Sequence, residues 1–261
     1  MFSLFISLAS QAAPLTCDAI QEMQQQSRPK YAIQRAIQQN GIEENVPKCS
    51  EKKSLADLIP TPDQDSIAPD VYTVRFQTTK GDFLATFERA WSPLGNDRFY
   101  TLVQEGFFQD IAFFRAIRGF MIQFGIHNDP QQNQKWGGKP ILDDASVQSN
   151  ARGYITFAMA GPKSRTSQLF INTNNNSNLD SMGFTPIGAV LNTPTHKGME
   201  TVDKIFTGYG EGHPSGRGPS QELLQNLGNS FLREHYPYLD YLESATICRN
   251  EKAQSPSDCN A

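Results

Sequence analysis

The chain has 261 residues and a formal charge of −4, a length that fits one or two folded domains. The acidic balance argues against a nucleic-acid partner, because phosphate binding needs a basic footprint, and no segment supplies the about 20 apolar residues of a membrane-spanning helix. The 17 Phe, 19 Gly and 16 Pro suit a compact β-rich globule.

Residues 2–9 form a short apolar run ahead of Gln11-Ala12-Ala13-Pro14, the pattern of the h-region and small-residue cleavage zone of a secretory signal peptide over residues 1–13. The run is short and no basic residue precedes it, so the other reading is a mis-assigned start or a frayed apolar N-terminus. The first places the protein in the periplasm or outside the cell, the second in the cytoplasm. Cys17, Cys49, Cys248 and Cys259 lie toward the chain ends, without a C-x-x-C or a neighbouring His pair to mark a zinc site. An even count beside an export-like segment favours disulfides, Cys17 with Cys49 and Cys248 with Cys259 by proximity, over four reduced thiols. Residues 14–53 are Gln-rich, with Ile20 and Met23, then Ile33 and Ile37, at helical spacing on either side of Pro29. That is a small helical extension with too few large apolar residues for a core of its own. Pro60, Pro62 and Pro69 among Asp, Gln and Ser mark residues 54–70 as a linker.

The main domain is expected over residues 71–248. Residues 71–78 alternate as a strand, Lys80-Gly81-Asp82 turns the chain, and residues 83–87 return as the hairpin partner. Trp91-Ser92-Pro93 opens a helix, with Ser92 as N-cap, a buried stripe of Phe99, Leu102 and Val103, and Gly106 as its end. Phe113-Phe114-Arg115-Ala116-Ile117-Arg118-Gly119-Phe120-Met121-Ile122-Gln123-Phe124-Gly125 then reads as two strands folded at Gly119. A period of two puts Phe113, Arg115 and Ile117 on one face of the first strand, and Met121 and Gln123 on one face of the second. If those faces look the same way, Arg115 and Gln123 stand side by side over a floor of Phe and Met; a core hairpin whose Arg115 reaches out to water is the competing reading. Ile155-Thr156-Phe157-Ala158-Met159-Ala160-Gly161-Pro162, followed by Ser167-Gln168-Leu169-Phe170-Ile171-Asn172, repeats the design, with Gln168 and Phe170 sharing a face.

Residues 198–206 read as a second helix with Met199, Val202 and Phe206 on one stripe. The Gly/Pro-rich stretch 208–219 contains a G-x-G pattern, but no βαβ unit surrounds it, so it reads as a tight surface loop rather than a nucleotide site. Residues 221–234 look like an added helix, 239–247 like a closing strand and 249–261 like a tail. His127, His196, His213 and His235 are scattered without metal-ligand spacing and read as surface residues. Asn175-Asn176-Ser177 has the form of an N-glycosylation triplet, a form common in Asn-rich loops.

Together these blocks resemble the signature segments of cyclophilins, the peptidyl-prolyl isomerase family, over roughly residues 71–248. The resemblance implies a mainly β fold, a closed eight-stranded antiparallel barrel capped by two helices, here with an added C-terminal helix and the N-terminal helical extension. It implies Arg115 and Gln123 as catalytic residues, and Phe120, Met121, Ala158, Met159, Gln168, Phe170, Leu179 and Phe184 as substrate-binding residues. It implies no metal and no cofactor, and as partners proline-containing peptides and unfolded proteins met by a monomer. Several positions depart from the family pattern. Phe114 stands where histidine is usual, Arg118 where proline is, Phe124 where glycine is, and Met159 replaces an asparagine that anchors the substrate backbone. Asn178 takes the place of an aromatic wall residue, and Phe184 falls where histidine or tyrosine is common.

Prolyl isomerisation forms no bond and moves no proton onto a catalyst, so the lack of a Ser/His/Asp set or a reactive thiol agrees with it. What it needs is a cation held in a dry apolar hollow, meeting the prolyl nitrogen as the amide twists. A guanidinium pointing away from such a hollow, or locked against a neighbouring carboxylate, would end the case for it. A binding module that captures proline-containing segments with little turnover is the alternative.

Overall fold

The computed structural model describes residues 65–194, 196–249, 253 and 255–260. The expected signal segment 1–13, the helical extension 14–53 with its Cys17–Cys49 bridge and the first part of the linker lie outside the described residues. Residues 65–70, read from composition as the end of that linker, are anchored on the following domain: Asp65 pairs with Arg98 at 2.8 Å, and the Ala68 amide donates to Asp97 at 2.8 Å.

The first hairpin forms as expected. β1 (Val71–Thr78) and β2 (Gly81–Glu88) pair in register from Val71↔Glu88 to Thr78↔Gly81, and Gly81 turns the chain with φ +110°. α1 (Pro93–Gln104) follows and buries Phe99, Leu102 and Val103. Its capping differs from expectation. The Ser92 hydroxyl makes no bond to the helix but donates to Asp144, whose carboxylate accepts the Leu94 and Gly95 amides at 3.2 and 3.0 Å. A negative group at the positive end of the helix dipole, 49 to 52 residues away in sequence, does the capping.

β3 (Gln109–Ala112), β4 (Arg115–Ile117) and β5 (Met121–Phe124) precede a helix the sequence did not announce, α2 (Pro130–Gly137), capped by the Asp129 side chain. β6 (Tyr154–Phe157), β7 (Leu169–Asn172), β8 (Pro186–Val190) and β9 (Tyr241–Ile247) complete one nine-stranded antiparallel sheet, in the order β3-β9-β1-β2-β8-β6-β7-β5-β4. The mainly β, antiparallel expectation holds, with two corrections. Among the described residues there are nine strands, not eight, and the hydrogen-bonded ladder ends at β3 and β4 instead of closing. Those end strands are consecutive in the chain, joined by buried Phe113 and Phe114, so the sheet curls until its two ends lie beside one another. Inside the curl the core is aromatic. Phe99 of α1 lies 4.4 Å from Phe87 and 5.4 Å from Phe108 between ring centres, and Phe76, Phe83 and Phe124 extend the stack.

The second helix is shorter than its apolar stripe predicts. α3 (Gly198–Val202) buries Met199 and Val202, but the third core residue is Ile205, and Phe206 instead meets Tyr209 edge-on and Tyr238 at a tilt. The added helix is two helices, α4 (Gln221–Leu227) and α5 (Asn229–His235), broken at Gly228, where φ is +68° and a Cβ would run into the Asn128 carbonyl. Leu224 and Leu232 from this pair form a second core with Ala112, Phe114, Ile126, Leu239 and Tyr241. Phe114, an apolar substitution relative to the family pattern, lies in this cluster with the added helices. The tail does not trail away. Cys248 and Cys259, the latter within a 3-10 helix at Pro256–Asn260, form a disulfide and pack with Ala253, Leu84 and Leu191.

Candidate active site

The site is built on the cross-strand rule that directly opposed residues share a face. Arg115 of β4 opposes Gln123 of β5, and Gln123 opposes Phe170 of β7. With a period of two, Ile117, Met121 and Gln168 project to the same side as this row. The alternate residues Ile122, Phe124, Leu169 and Ile171 point into the core, each at most 1% exposed. Gly119 makes the β4–β5 turn at φ +72°.

Above this row lies a hollow of about 430 Å³. All ten residues that the sequence predicts line it: Arg115, Gln123, Phe120, Met121, Ala158, Met159, Gln168, Phe170, Leu179 and Phe184. Met121, Phe170 and Leu179 are buried at its base, and Phe120, Ala158 and Phe184 pack around them. The sequence missed Ala160, Ser164, Thr166, Met182 and Gln221, which complete the wall. Asn178, at the position of the missing aromatic, is exposed, and Met182 of the same 3-10 helix (Ser177–Met182) lines the hollow instead.

Buried asparagines fix the walls. Asn150 donates to the Phe184 carbonyl and to Asp180, while its side-chain oxygen accepts from Thr156 and Asn172. Asn176 donates to the Phe120 carbonyl and to Asn172. Thus Phe184, Leu179 beside Asp180, and Phe120 are all tied to one hydrogen-bonded knot beneath the hollow. Burial pushes the Asp180 carboxyl up, but bonds from Ser149 and from the Asn150 side chain and backbone outweigh it and hold the group below the usual carboxylate range.

A polar relay crosses this apolar bowl. Arg115 Nη1 donates to Gln123 Oε1 at 2.9 Å, and Gln123 Nε2 donates to Gln168 Oε1 at 2.8 Å. Arg115 Nη1 also lies 3.9 Å from the Met121 sulfur. The guanidinium is in the hollow, as expected, but it is not unpaired. Glu211, from the Gly/Pro-rich stretch, meets its side edge in a bidentate pair, Nε to Oε1 at 2.5 Å and Nη2 to Oε2 at 2.7 Å. The expectation of a guanidinium without a carboxylate is therefore overturned: the pair with Glu211 is one of the two arrangements named above as ending the case, while the other is not met, since Arg115 lines the hollow with Nη1 on Gln123. Glu211 takes Nε and one Nη2 hydrogen, and it does not line the hollow, while the Nη1 end rests on Gln123 and Met121. Of the five N–H groups of an arginine, two are used by Glu211, one by Gln123 and one, weakly, by the Met121 sulfur. The bond to Arg115 holds the Glu211 carboxyl below its usual range, against burial and with help from the Gly212 amide. Residues 115 and 211 are 96 apart in sequence, and no periodicity links them.

Two histidines also differ from the surface reading. His196 Nε2 accepts the Leu84 amide at 3.3 Å, and His127, half-buried against the Phe107 ring, accepts the Asp129 amide at Nδ1. Burial lowers the pKa of both, against the nearby charges of Asp82 at His196 and of Asp129 at His127. Among the described residues no group of three or more His, Cys, Asp or Glu is arranged to hold a metal ion, and no helix is long and apolar enough to cross a membrane.

Residues 73–222 match the family model for the cyclophilin type peptidyl-prolyl cis-trans isomerase/CLD. Over 104 residues, 38% of the chain, the sequence is 36% identical to peptidyl-prolyl cis-trans isomerase CYP65 of Arabidopsis thaliana, of which that stretch spans only 17%. Peptidyl-prolyl cis-trans isomerase B of Escherichia coli is 35% identical over 137 residues, 51% of this chain and 82% of the bacterial protein. Among solved structures, that of a cyclophilin type peptidyl-prolyl cis-trans isomerase of Cryptosporidium parvum superposes with a TM-score of 0.50 at 20% identity, covering 69% of this chain and 99% of that one. At that identity the match speaks for the fold.

Proposed function

The chain belongs to the cyclophilin-type peptidyl-prolyl cis-trans isomerases, and on that premise we propose that it turns prolyl peptide bonds in the hollow above β5 and β7, with Arg115 as the electrophilic donor. One observation carries the reading: Arg115 and Gln123 oppose one another across β4 and β5 at the base of an apolar bowl. The barrier to rotation, about 18–20 kcal/mol, is lost amide resonance. As the C–N bond twists, the prolyl nitrogen becomes pyramidal and regains a lone pair. A charged N–H donor aimed at that nitrogen stabilises the twisted state more than either planar state, which is the differential binding that catalysis requires.

The apolar residues set the strength of that contact. Phe120, Met121, Phe170, Leu179 and Phe184 receive the proline ring and exclude water, so the interaction is not diluted by solvent. Gln123 and Gln168 hold the peptide backbone while the bond rotates. A hydrogen bond to a charged group contributes roughly 1.5–3 kcal/mol, and each 1.36 kcal/mol is tenfold in rate. Arg115 alone then supplies about one to two orders of magnitude. Exchange spectroscopy on a prolyl peptide tests this: Arg115→Ala lowers turnover by at least about tenfold. Equal rates for the two proteins would leave a module that binds proline-containing segments, a reading that Met159 favours by replacing the backbone-anchoring asparagine of the family pattern, and Asn178 by replacing its aromatic wall residue.

For location we propose export, with unfolded proteins of an oxidising compartment as substrates. The Cys248–Cys259 bridge supports this, since disulfides persist outside the reducing cytosol, as does the apolar segment at residues 2–9. Thiol counting on protein from its native compartment tests it; four free thiols would reject export.

A further inference from the structure

The contact between Arg115 and Glu211 is not an incidental surface ion pair, because the loop is shaped around the acid. Gly210 bridges Ala116, the residue beside Arg115 on β4, which brings the loop alongside the strand. The Glu211 carbonyl then accepts the Gly218 amide at 2.8 Å, and its Oε1 accepts the Gly212 amide at 2.8 Å. The chain wraps this residue so closely that a Cβ at Gly216 would overlap the Glu211 carbonyl oxygen, and one at Gly218 would sit 2.9 Å from it. Loop glycines thus serve to place one carboxylate. Gly212–Gly218 and Gly216–Gly212 contacts close the loop beneath it.

That carboxylate meets the guanidinium on the edge away from the hollow. Arg115 lines the hollow and Glu211 does not, while Nη1 is turned toward Gln123 and Met121. A long side chain that is 23% exposed has several rotamers open to it, and ordering one costs conformational entropy. A bidentate partner behind the guanidinium removes that cost before substrate arrives, and it sets the plane in which the remaining N–H groups point.

We propose that Glu211 is a positioning residue for prolyl isomerisation: it anchors the back edge of the Arg115 guanidinium so that the front edge meets the prolyl nitrogen. The proposal rests on Arg115 being the donor to that nitrogen. Two opposing effects are in play. The negative charge damps the field of Arg115, and the fixed geometry aligns its donors. The side-on approach favours alignment, since the pair occupies Nε and one Nη2 hydrogen and leaves the Nη1 end directed into the bowl.

The test is a double-mutant cycle on turnover of a prolyl peptide, with Glu211→Gln, Arg115→Ala and the double variant, each checked for the wild-type unfolding midpoint. Gln keeps the length of Glu but presents an amide NH2 to one of the two donors, so the bidentate grip is lost. Glu211→Gln lowers kcat by about five- to tenfold and leaves KM within about twofold, and in the Arg115→Ala background the same change has less than about a twofold effect. A kcat equal to or above wild type for Glu211→Gln would overturn the proposal, because Glu211 would then only restrain the arginine. An equal loss in both backgrounds would overturn it too, since Glu211 would act without Arg115. If Arg115→Ala itself matches wild type, the donor reading fails first; if Arg115→Ala falls and Glu211→Gln does not, only the positioning role fails.

Discussion

Asn150 Nδ2 donates to the Phe184 carbonyl oxygen at 2.8 Å, and through that bond a fully buried amide holds one wall of the hollow. Its side-chain oxygen also accepts the Thr156 hydroxyl, which is itself fully buried. Asn150→Ala leaves that hydroxyl and the Phe184 carbonyl without their partner. A buried polar group left unsatisfied costs about 1–3 kcal/mol. The expected result is a lower urea midpoint at unchanged m-value, corresponding to a loss in that range. Because Phe184 and Leu179 lose their tether, KM for a prolyl peptide rises more than kcat falls.

Asp144 carries a larger share of the stability. It caps α1 through the Leu94 and Gly95 amides and pairs with Arg165, which is only 1% exposed and also donates to Ser92 and to the Leu142 carbonyl. Removing one member of a buried pair strands the other, at a cost of about 3–5 kcal/mol. Asp144→Ala is therefore expected to lower the unfolding free energy by that order. A loss under about 1 kcal/mol in urea titration would mean that Asp143, 3.9 Å from Arg165, takes over the charge.

The contrast between Arg115 and Glu211 shows where sequence reading stops. Arg115 and Gln123 were legible as neighbours because a hairpin with a known turn fixes register, and a period of two fixes the face. Eight of the ten predicted lining residues fall on strands or beside their ends, where that logic applies; Leu179, on the 3-10 helix, and Phe184, just after it, were legible only through the family resemblance. Glu211 lies in a loop whose conformation is set by backbone contacts among glycines, and such contacts leave no periodic trace. The Asp144 cap failed to appear for a similar reason: Ser92 matched the local capping rule, and an acid about 50 residues away displaced it. The added helices give a milder case. Their helical character was plain, but the break at Gly228 depends on Asn128, a contact from another part of the chain.

The two half-buried acceptor histidines predict how stability varies with pH. Burial lowers the pKa of His196 and His127 below the unfolded value of about 6.5. Between the folded and unfolded values the unfolded chain binds more protons, so unfolding free energy rises with pH across that window. Stability is fully present above about pH 6.5 and falls as the pH drops below it. His196→Gln, with a neutral acceptor in place of the ring nitrogen that takes the Leu84 amide, flattens part of that slope. Turnover behaves differently. Glu211 is held below the usual carboxylate range by Arg115, so in protein that remains folded the activity stays level from about pH 8 to about pH 5. A step in turnover near pH 6.5 without unfolding would assign a histidine to the chemistry.

Gly216 separates loop shape from loop charge. A Cβ there would overlap the Glu211 carbonyl oxygen and crowd the Glu211 Cβ, so Gly216→Ala shifts the residue that grips Arg115 while leaving every charge in place. Gly137 is the matched control, because no atom lies within 4 Å of a Cβ added at that position. Gly216 belongs to neither large apolar cluster, although Tyr209 of the same loop packs against the second, so Gly216→Ala is expected to change the unfolding free energy by less than about 1 kcal/mol. Its kcat should nevertheless fall by a factor similar to that of Glu211→Gln, on the order of fivefold, with Gly137→Ala unchanged. Wild-type kcat for Gly216→Ala would show that Arg115 keeps its orientation without a fixed carboxylate behind it, since the alanine moves that carboxylate and touches nothing else in the bowl.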